Sequence, residues 1–359
     1  MPTASPDYAA RDLQACVAMM QGGSKTFFAA SRLLPLRVRA ASIALYAFCR
    51  VADDLVDEGG AVDASLQMLR QRLDLVYAGT PSDCVEDQAL AIVVQQHQLP
   101  RLLMDALLEG FAWDAAGRRY DTLQDLQAYC ARVAGTVGAM MCWIMGSHSE
   151  RTLARACELG VAMQLTNIAR DIGEDARNGR LYLPRQWLQE AGVDVPAWLA
   201  QPESLAAIKT LTGRLLQEAD ALYAQAQAGI AELPPDCRAA ILAASTIYAD
   251  IGHQLKREGL DSVQHRTVVS TRRKLVLLAS AWTRAGWVTT QGLQPQPLAA
   301  IRFLVEGCMQ ALHQDVDKDY FPNRAMPQRV EWVLGLLERL EGAKQRRLGT
   351  LGMAQRQHG

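Results

Sequence analysis

The amino-acid sequence predicts an all-α fold, a bundle of helices around a shared apolar interior. Hydrophobic residues make up 50% of the 359 residues, but aromatic residues only 6%. The chain is rich in Ala and Leu and poor in long runs of β-branched residues, a composition that favours helices over strands. This length can supply a sizeable core in one large domain or two. No period of about 20–50 residues recurs, which excludes a repeat architecture.

The charge balance and the cysteines limit the classes of function. The chain carries 37 basic and 38 acidic residues, a net charge of −1, so nothing global indicates binding to nucleic acid. Its eight cysteines form no Cys-x-x-Cys pair and no zinc spacing, which is typical of reduced thiols in the cytosol. Residues 1–11 lack the apolar core of a signal peptide. The most apolar stretch, residues 133–145, is shorter than the roughly 20 residues that a bilayer span needs. We therefore expect a cytoplasmic protein that is soluble or at most lies on a membrane surface.

The first helix is predicted over residues 8–20 and ends at Gly22 and Gly23. Ser24 and Lys25 follow directly. A turn of this kind into a helix presents backbone N–H groups, a hydroxyl and an ammonium group to a phosphate. An ordinary helix N-cap is the alternative, and the sequence leaves both open.

A long helix is predicted over residues 36–57. Its polar positions i, i+4, i+7 and i+11 share one face, and they are Tyr46, Arg50, Asp53 and Asp57. The aspartates of this face lie one helical turn apart.

Residues 61–130 are predicted to form two or three amphipathic helices. An unusually apolar helix is then predicted over residues 123–145, and it contains Tyr129, Gly135 and Gly138. Glycines inside a helix either permit close packing or leave room for a ligand beside the backbone.

The next predicted helix carries a second polar face, formed by Gln164, Asn167, Asp171 and Asp175 at i, i+3, i+7 and i+11. Two like charges four residues apart cost a helix about 0.2–0.5 kcal/mol. A helix that keeps two like charges at this spacing despite the cost indicates a functional site, provided that a positive charge lies between the carboxylates.

Four more helices are predicted after this face, over residues 203–230 and 235–257 and near residues 298–314 and 327–347. Tyr248 lies among small and apolar residues of the second, where a core tyrosine is the default interpretation. Arg266 and the basic run 272–274 follow it. Residues 289–297 form the one plausible linker, and the last helix ends in a basic cluster at Lys344, Arg346 and Arg347.

Two helices that each carry an Asp-x-x-x-Asp pair are suited to hold Mg²⁺, with water and a substrate phosphate in the remaining positions. Arg50, Lys25 and Arg266 would neutralise the diphosphate charge that the metal leaves exposed. A metal-bound diphosphate is a leaving group, and its departure leaves a carbocation that needs a dry, apolar cavity. For either helix taken alone, the alternative to a metal site is an acidic pair that is simply exposed to solvent. A di-iron site is less favoured, because no histidine follows a carboxylate of these faces by three or four residues.

The two faces lie in segments that resemble the signatures of the squalene/phytoene synthase family. These segments are Leu45-Tyr-Ala-Phe-Cys-Arg-Val-Ala-Asp-Asp-Leu-Val-Asp57 and Gln164-Leu-Thr-Asn-Ile-Ala-Arg-Asp-Ile-Gly-Glu-Asp-Ala-Arg-Asn-Gly-Arg-Leu-Tyr-Leu-Pro184. The resemblance covers residues 15–285, and among the family it is nearest to bacterial phytoene synthases. It implies an isoprenoid synthase fold, a single helical domain with a central apolar cavity, that uses Mg²⁺ or Mn²⁺.

Site residues follow from the resemblance position by position. Metal ligands are implied at Asp53, Asp54, Asp57, Asp171 and Asp175, with Asn167 beside them. Diphosphate contacts are implied at Ser24, Tyr46, Arg50, Gln164, Asn167, Tyr248 and Arg266, and the turn after the two glycines adds Lys25 to the predicted substrate-binding residues. Tyr129 matches a tyrosine near the reacting carbons. With Arg50, Asp53, Asp57, Asp171 and Asp175, Tyr129 makes up the implied catalytic set.

The resemblance implies that two geranylgeranyl diphosphates are joined head to head, through a cyclopropylcarbinyl diphosphate, to phytoene. Neither NADPH nor nucleic acid is expected as a partner. The alternatives are a squalene or dehydrosqualene synthase acting on farnesyl diphosphate, and a non-catalytic assembly factor, which would be expected to lose the aspartates. Residues 1–288 are predicted to form the synthase domain and residues 289–359 a helical extension on it or on a membrane surface. The basic run 272–274 or the end of the last helix would contact that surface, and no oligomeric state is predicted.

Overall fold

Helices make up the regular structure in the computed structural model, which describes residues 6–23, 25–58, 62–286 and 296–318. No β-strand occurs within these ranges. The α-helices are α1 (Pro6–Gly23), α2 (Lys25–Ser31), α3 (Leu36–Glu58), α4 (Val62–Tyr77), α5 (Val85–His97), α6 (Arg101–Ala115), α7 (Leu123–Cys130), α8 (Thr136–Ile144), α9 (Glu150–Arg177), α10 (Arg185–Glu190), α11 (Val195–Ala200), α12 (Ala206–Ile230), α13 (Pro235–Arg257), α14 (Thr271–Arg284) and α15 (Arg302–Lys318). The all-α prediction is confirmed.

Helix α9 is the centre of the bundle. It packs against α8, α12 and α13, and most of its apolar positions are buried. Two glycines bring α9 into backbone contact with α8 and with the turn that precedes α8. A Cβ atom on Gly138 would lie 2.1 Å from the carbonyl oxygen of Ala156, and one on Gly160 would lie 2.1 Å from that of Ala134. Gly138 therefore permits close packing, one of the two roles that the sequence left open, and it also lines the cavity described below.

The apolar helix predicted over residues 123–145 differs from the structure in one respect. A π-helical turn, Ala131–Gly135, separates α7 from α8, and the N–H of Thr136 donates to the carbonyl of Ala131. One extra residue in a turn leaves the apolar pattern on either side helical, so periodicity does not reveal it. Such turns are frequent at functional sites, and this one begins two residues after Tyr129.

The chain divides into one unit of Met1–Ala311 and a second of Leu312–Gly359. The predicted boundary at residues 288 and 289 and most of the predicted linker lie outside the described residues, as does the predicted helix over 327–347. The helix predicted near residue 298 begins as a 3₁₀ turn at Ala299–Ile301 and continues as α15. Glu158 of α9, which is fully buried, accepts a hydrogen bond of 3.0 Å from the N–H of Leu298.

None of the described helices has both the length and the apolarity needed to cross a bilayer.

Candidate active site

A cavity of about 850 Å³ lies within the first unit, along α9. Its volume falls in the range of about 300–1,000 Å³ that is usual for small-molecule sites. The polar part of its lining contains Tyr46, Arg50, Asp53, Asp114, Gln164, Asn167, Arg170, Asp171, Asp175, Arg180, Tyr248 and Arg266. The apolar part contains Leu107, Phe111, Val133, Val137, Met141, Met145, Leu159 and Met163. The cavity thus joins a charged group of side chains to an apolar chamber.

The two predicted carboxylate faces line this same cavity. Asp53 reaches it from α3, and Asp171 and Asp175 reach it from α9. Asp57 lies in the last turn of α3, but its side chain is outside the described residues. Asp54 makes an ion pair with Arg50 at 2.5 Å, while Asp53 lies 3.7 Å from that arginine.

Two arginines hold Asp171 in this structure. The guanidinium of Arg170 donates to its carboxylate at 2.8 and 2.5 Å, and that of Arg266 donates at 2.8 and 3.2 Å. Burial favours the neutral acid, but these charge-assisted hydrogen bonds outweigh it and lower the pKa of Asp171. Asp171 is therefore an ionised carboxylate at neutral pH.

The pKa of Asp175 is shifted in the opposite direction from that of Asp171. Burial and the nearby negative charges of Asp171 and Asp114 raise its pKa to about 7. A bound cation would counteract both causes, because its positive charge would stabilise the ionised form of the buried carboxylates.

The donor set fits Mg²⁺ or Mn²⁺. Carboxylate and amide oxygens from Asp53, Asp171, Asp175 and Asn167 face the cavity, and hard divalent cations prefer oxygen ligands. Within the described part of the chain, no three His, Cys, Asp or Glu residues form a ready-made metal cluster. Mg²⁺ is usually held by one or two carboxylates together with water and substrate phosphate.

Gly173 places the loop that carries Arg266. The N–H of Gly173 donates to the carbonyl of Ser262 at 3.0 Å. A Cβ atom at this position would lie 2.4 Å from the Val263 carbonyl oxygen and 2.5 Å from its Cα atom. The absence of a side chain lets the loop lie against α9, so that Arg266 reaches Asp171.

Three tyrosines form a stacked group beside the carboxylates. The Tyr129 ring lies 5.3 Å from that of Tyr120 and 5.4 Å from that of Tyr182, measured between centroids. Tyr129 is only 3% exposed, and burial raises its pKa well above the ordinary value for a tyrosine. Tyr182, in the loop after α9, donates a short hydrogen bond to Asp114 of α6. Tyr129 is therefore placed at the cavity wall as a neutral phenol.

Of the remaining predicted residues, some line the cavity and others lie outside the described residues. Gln164 and Asn167 line the cavity beside the carboxylates, and Tyr248 is buried in its wall, where burial raises its pKa to about 12. Tyr46 packs against Gly23 so closely that a Cβ there would lie 2.3 Å from the phenol oxygen. Ser24 and the side chain of Lys25 lie outside the described residues.

The sequence did not predict four polar groups of the site: Arg170, Arg180, Asp114 and Tyr182. Arg170 stands in the second motif, next to Asp171, and a positive charge beside a carboxylate pair could have indicated its place in the site. Tyr182 and Arg180 also stand in the second motif, beyond the polar face that ends at Asp175. Asp114 carries no local signal, because its partner in the hydrogen bond is 68 residues away.

The fold and the site define a helical protein with a carboxylate- and arginine-lined mouth over an apolar chamber. Residues 20–274 match the squalene/phytoene synthase family model. The chain belongs to the squalene/phytoene synthase family.

Curated relatives cover most of the chain. A phytoene synthase from Cereibacter sphaeroides is 50% identical over 85% of this chain and 90% of its own length. A phytoene synthase from Rhodobacter capsulatus is also 50% identical, over 79% of this chain and 85% of its own length.

Solved structures support the same fold. A dehydrosqualene synthase in complex with a ligand aligns with a TM-score of 0.71 at 30% identity, over 78% of this chain and 99% of its own. Squalene synthase from Alicyclobacillus acidocaldarius aligns with a TM-score of 0.66 at 25% identity, over 71% of this chain and 97% of its own. The isoprenoid synthase fold implied by the two sequence motifs is confirmed.

Proposed function

We propose that the protein is a phytoene synthase that joins two geranylgeranyl diphosphates head to head. The enzyme is a prenyltransferase of carotenoid biosynthesis, like the relatives that it resembles over most of their length. The observation that carries the proposal is the meeting of two carboxylate faces, on α3 and α9, at one apolar cavity of about 850 Å³. An assembly factor without catalysis would not need to keep these aspartates.

Asp53, Asp57, Asp171 and Asp175 would hold Mg²⁺ or Mn²⁺ at the cavity mouth. When bound there, the metal stabilises the negative charge that develops on the departing diphosphate. Arg50, Arg170 and Arg266 surround the same place and suit the oxygens of a diphosphate, which a guanidinium can bind in a bidentate manner. Gln164 and Asn167 would donate amide hydrogen bonds to the diphosphate and its water shell.

The apolar chamber would hold the prenyl chains and exclude water from the carbocation that forms. Its walls carry methionines, valines and leucines along α8 and α9. The buried phenol of Tyr129 is neutral, so it contributes a dipole near the reacting carbons and not an anionic nucleophile.

Substrate length is tested by supplying purified protein with farnesyl or geranylgeranyl diphosphate, each with and without Mg²⁺ and NADPH. Forty-carbon phytoene formed without NADPH supports the proposal. A thirty-carbon product from farnesyl diphosphate would replace it with a squalene or dehydrosqualene synthase.

The metal proposal has its own test. Activity should disappear in EDTA and return with Mg²⁺ or Mn²⁺, and it should be lost in the double variant with Asp53→Ala and Asp171→Ala. Activity that survives EDTA, or a double variant that works at the full rate, would refute the metal role of these carboxylates.

Contact with a membrane surface is proposed for α14, because substrate and product are lipids. Leu275 and Trp282 share one face of this helix and are 61% and 63% exposed, and Arg272 is exposed beside them. Arg273 of the predicted basic run instead pairs with Asp250 at 2.8 Å. Loss of liposome co-sedimentation in a Leu275→Ser, Trp282→Ser variant is expected. The basic cluster at residues 344–347 lies outside the described residues. Liposome binding that stays unchanged in this variant, and also after Arg272 and that cluster are neutralised, would refute the membrane contact.

A further inference from the structure

The hydroxyls of Tyr129 and Tyr182 form a directed chain of hydrogen bonds that ends at Asp114. A carboxylate only accepts hydrogen bonds, so the single hydroxyl proton of Tyr182 must point at Asp114. The rings of Tyr129 and Tyr182 are stacked with their centroids 5.4 Å apart. Because the Tyr182 proton is committed to Asp114, Tyr129 is the donor in the hydrogen bond between the two hydroxyls. The Tyr129 oxygen therefore has its proton turned away from other neighbours and keeps a lone pair for a group in the cavity.

Both phenols are set in surroundings that favour the neutral form. Burial is the main cause that raises the pKa of each, with the negative charge of Asp114 next. A neutral phenol that accepts a proton must pass its own proton on. Tyr182 and then Asp114 stand in line to receive it.

The groups around Asp114 define the end of this chain. Arg180 lies 3.9 Å from its carboxylate, and the side chain of Asp114 is 19% exposed. Asp175 lies near enough that the charge of Asp114 raises its pKa. Asp114 also lines the cavity, as do Tyr129 and Tyr182. The chain thus runs from the wall beside the apolar chamber to a carboxylate at the charged mouth.

We propose that Asp114, acting through Tyr182 and Tyr129, accepts the proton that the final carbocation loses when phytoene forms. This inference rests on the proposed function, since that function ends in proton loss without a reductant. The C–H bond breaks, and its electron pair becomes the new carbon–carbon double bond. The proton goes to the Tyr129 oxygen, the Tyr129 hydroxyl proton to Tyr182, and the Tyr182 hydroxyl proton to Asp114. Asp114 becomes a neutral carboxylic acid, and the step needs no oxidant or reductant.

The test compares Tyr182→Phe and Asp114→Asn with the wild-type protein on geranylgeranyl diphosphate and Mg²⁺. Tyr182→Phe keeps the stacked ring and removes the relay hydroxyl. Tyr120→Phe is the matched control, because Tyr120 belongs to the same stack but its hydroxyl makes no hydrogen bond to any described residue. Two quantities are measured: the rate of substrate consumption, and the fraction of consumed substrate that becomes phytoene and not the cyclopropylcarbinyl diphosphate or its water-quenched alcohols.

In both relay variants we expect the phytoene fraction to fall by about 10²-fold, as for loss of a general base, with a much smaller fall in substrate consumption. Tyr120→Phe should keep both quantities. An unchanged phytoene fraction in Tyr182→Phe would overturn the proposal and leave the departing diphosphate as the base. Slower substrate consumption without a fall in the phytoene fraction would also overturn it, because a merely structural role predicts that result. Should Asp114→Asn fail to fold by circular dichroism, Tyr182→Phe decides alone. A wild-type protein that makes no phytoene would instead refute the proposed function.

Discussion

Substitution of Gly173 by alanine is expected to separate Arg266 from Asp171. The new Cβ atom would lie 2.4–2.8 Å from three backbone atoms of Val263, whereas ordinary contacts begin at 3.4 Å. The loop must therefore move by about 1 Å, since backbone atoms cannot rotate out of the way. Overpacking of this kind costs about 1–3 kcal/mol, and the better helix propensity of alanine offsets about 1 kcal/mol of it. A displacement of about 1 Å at a binding group can lower activity by about 10²-fold.

The assay has two readouts, the Tm from circular dichroism and kcat/KM for the prenyl diphosphate. Gly173→Ala should lower the Tm by a few degrees and kcat/KM by about 10-fold to 10²-fold. Gly213→Ala is the control, because a Cβ atom there meets only the flexible end of Leu260, at 3.2 Å. It should keep full activity and gain up to about 1 kcal/mol. Wild-type Tm and kcat/KM in Gly173→Ala would refute the reasoning.

Three further predictions follow from the same region. Without metal, the raised pKa of Asp175 means that the folded state keeps a proton that the unfolded state releases near pH 3.8, so stability should fall as pH rises from about 4 to about 7. Melts in EDTA should show this slope, and Asp175→Asn should reduce it; equal slopes would contradict the assignment. Arg266→Ala should raise KM for the diphosphate by about 10-fold or more, because a charge-assisted contact is worth about 1.5–3 kcal/mol, and an unchanged KM would exclude this arginine from binding. Gly138→Ala should destabilise the protein by about 1–3 kcal/mol in urea titrations, since its Cβ would lie 2.1 Å from a backbone oxygen of α9; a neutral result would disprove the close crossing.

The carboxylate faces could be predicted from the sequence because helical periodicity is a local property. Asp53, Asp171 and Asp175 share faces with their neighbours at three- and four-residue spacing, and the structure brings all three to one cavity. Their metal ligation stays a prediction, as do the roles of Asp54 and Asp57.

The contacts that tertiary folding creates could not be predicted in this way. Asp114 and Tyr182 meet only because α6 and the loop after α9 are packed together. Arg170 and Asp171 are adjacent in a helix, where neighbours do not face each other, yet the long guanidinium side chain folds back onto the carboxylate. The π-helical turn Ala131–Gly135 likewise depends on one added residue that hydrophobic spacing does not register.

The pairing of Asp171 with Arg170 and Arg266 means that the protein's own carboxylate occupies the place of an anionic ligand. Under the proposed function, binding of a metal-bound diphosphate would be an exchange of partners, in which Asp171 would hold the cation and the two arginines the phosphate oxygens. The number of ion pairs would change little in such an exchange, whereas binding to bare arginines would add new ones. Affinity for the substrate should consequently depend less on ionic strength than the charge of a diphosphate alone suggests. Between turnovers the ion pairs with Asp171 would keep both arginines in place, so that each new substrate would meet a site already arranged to receive it.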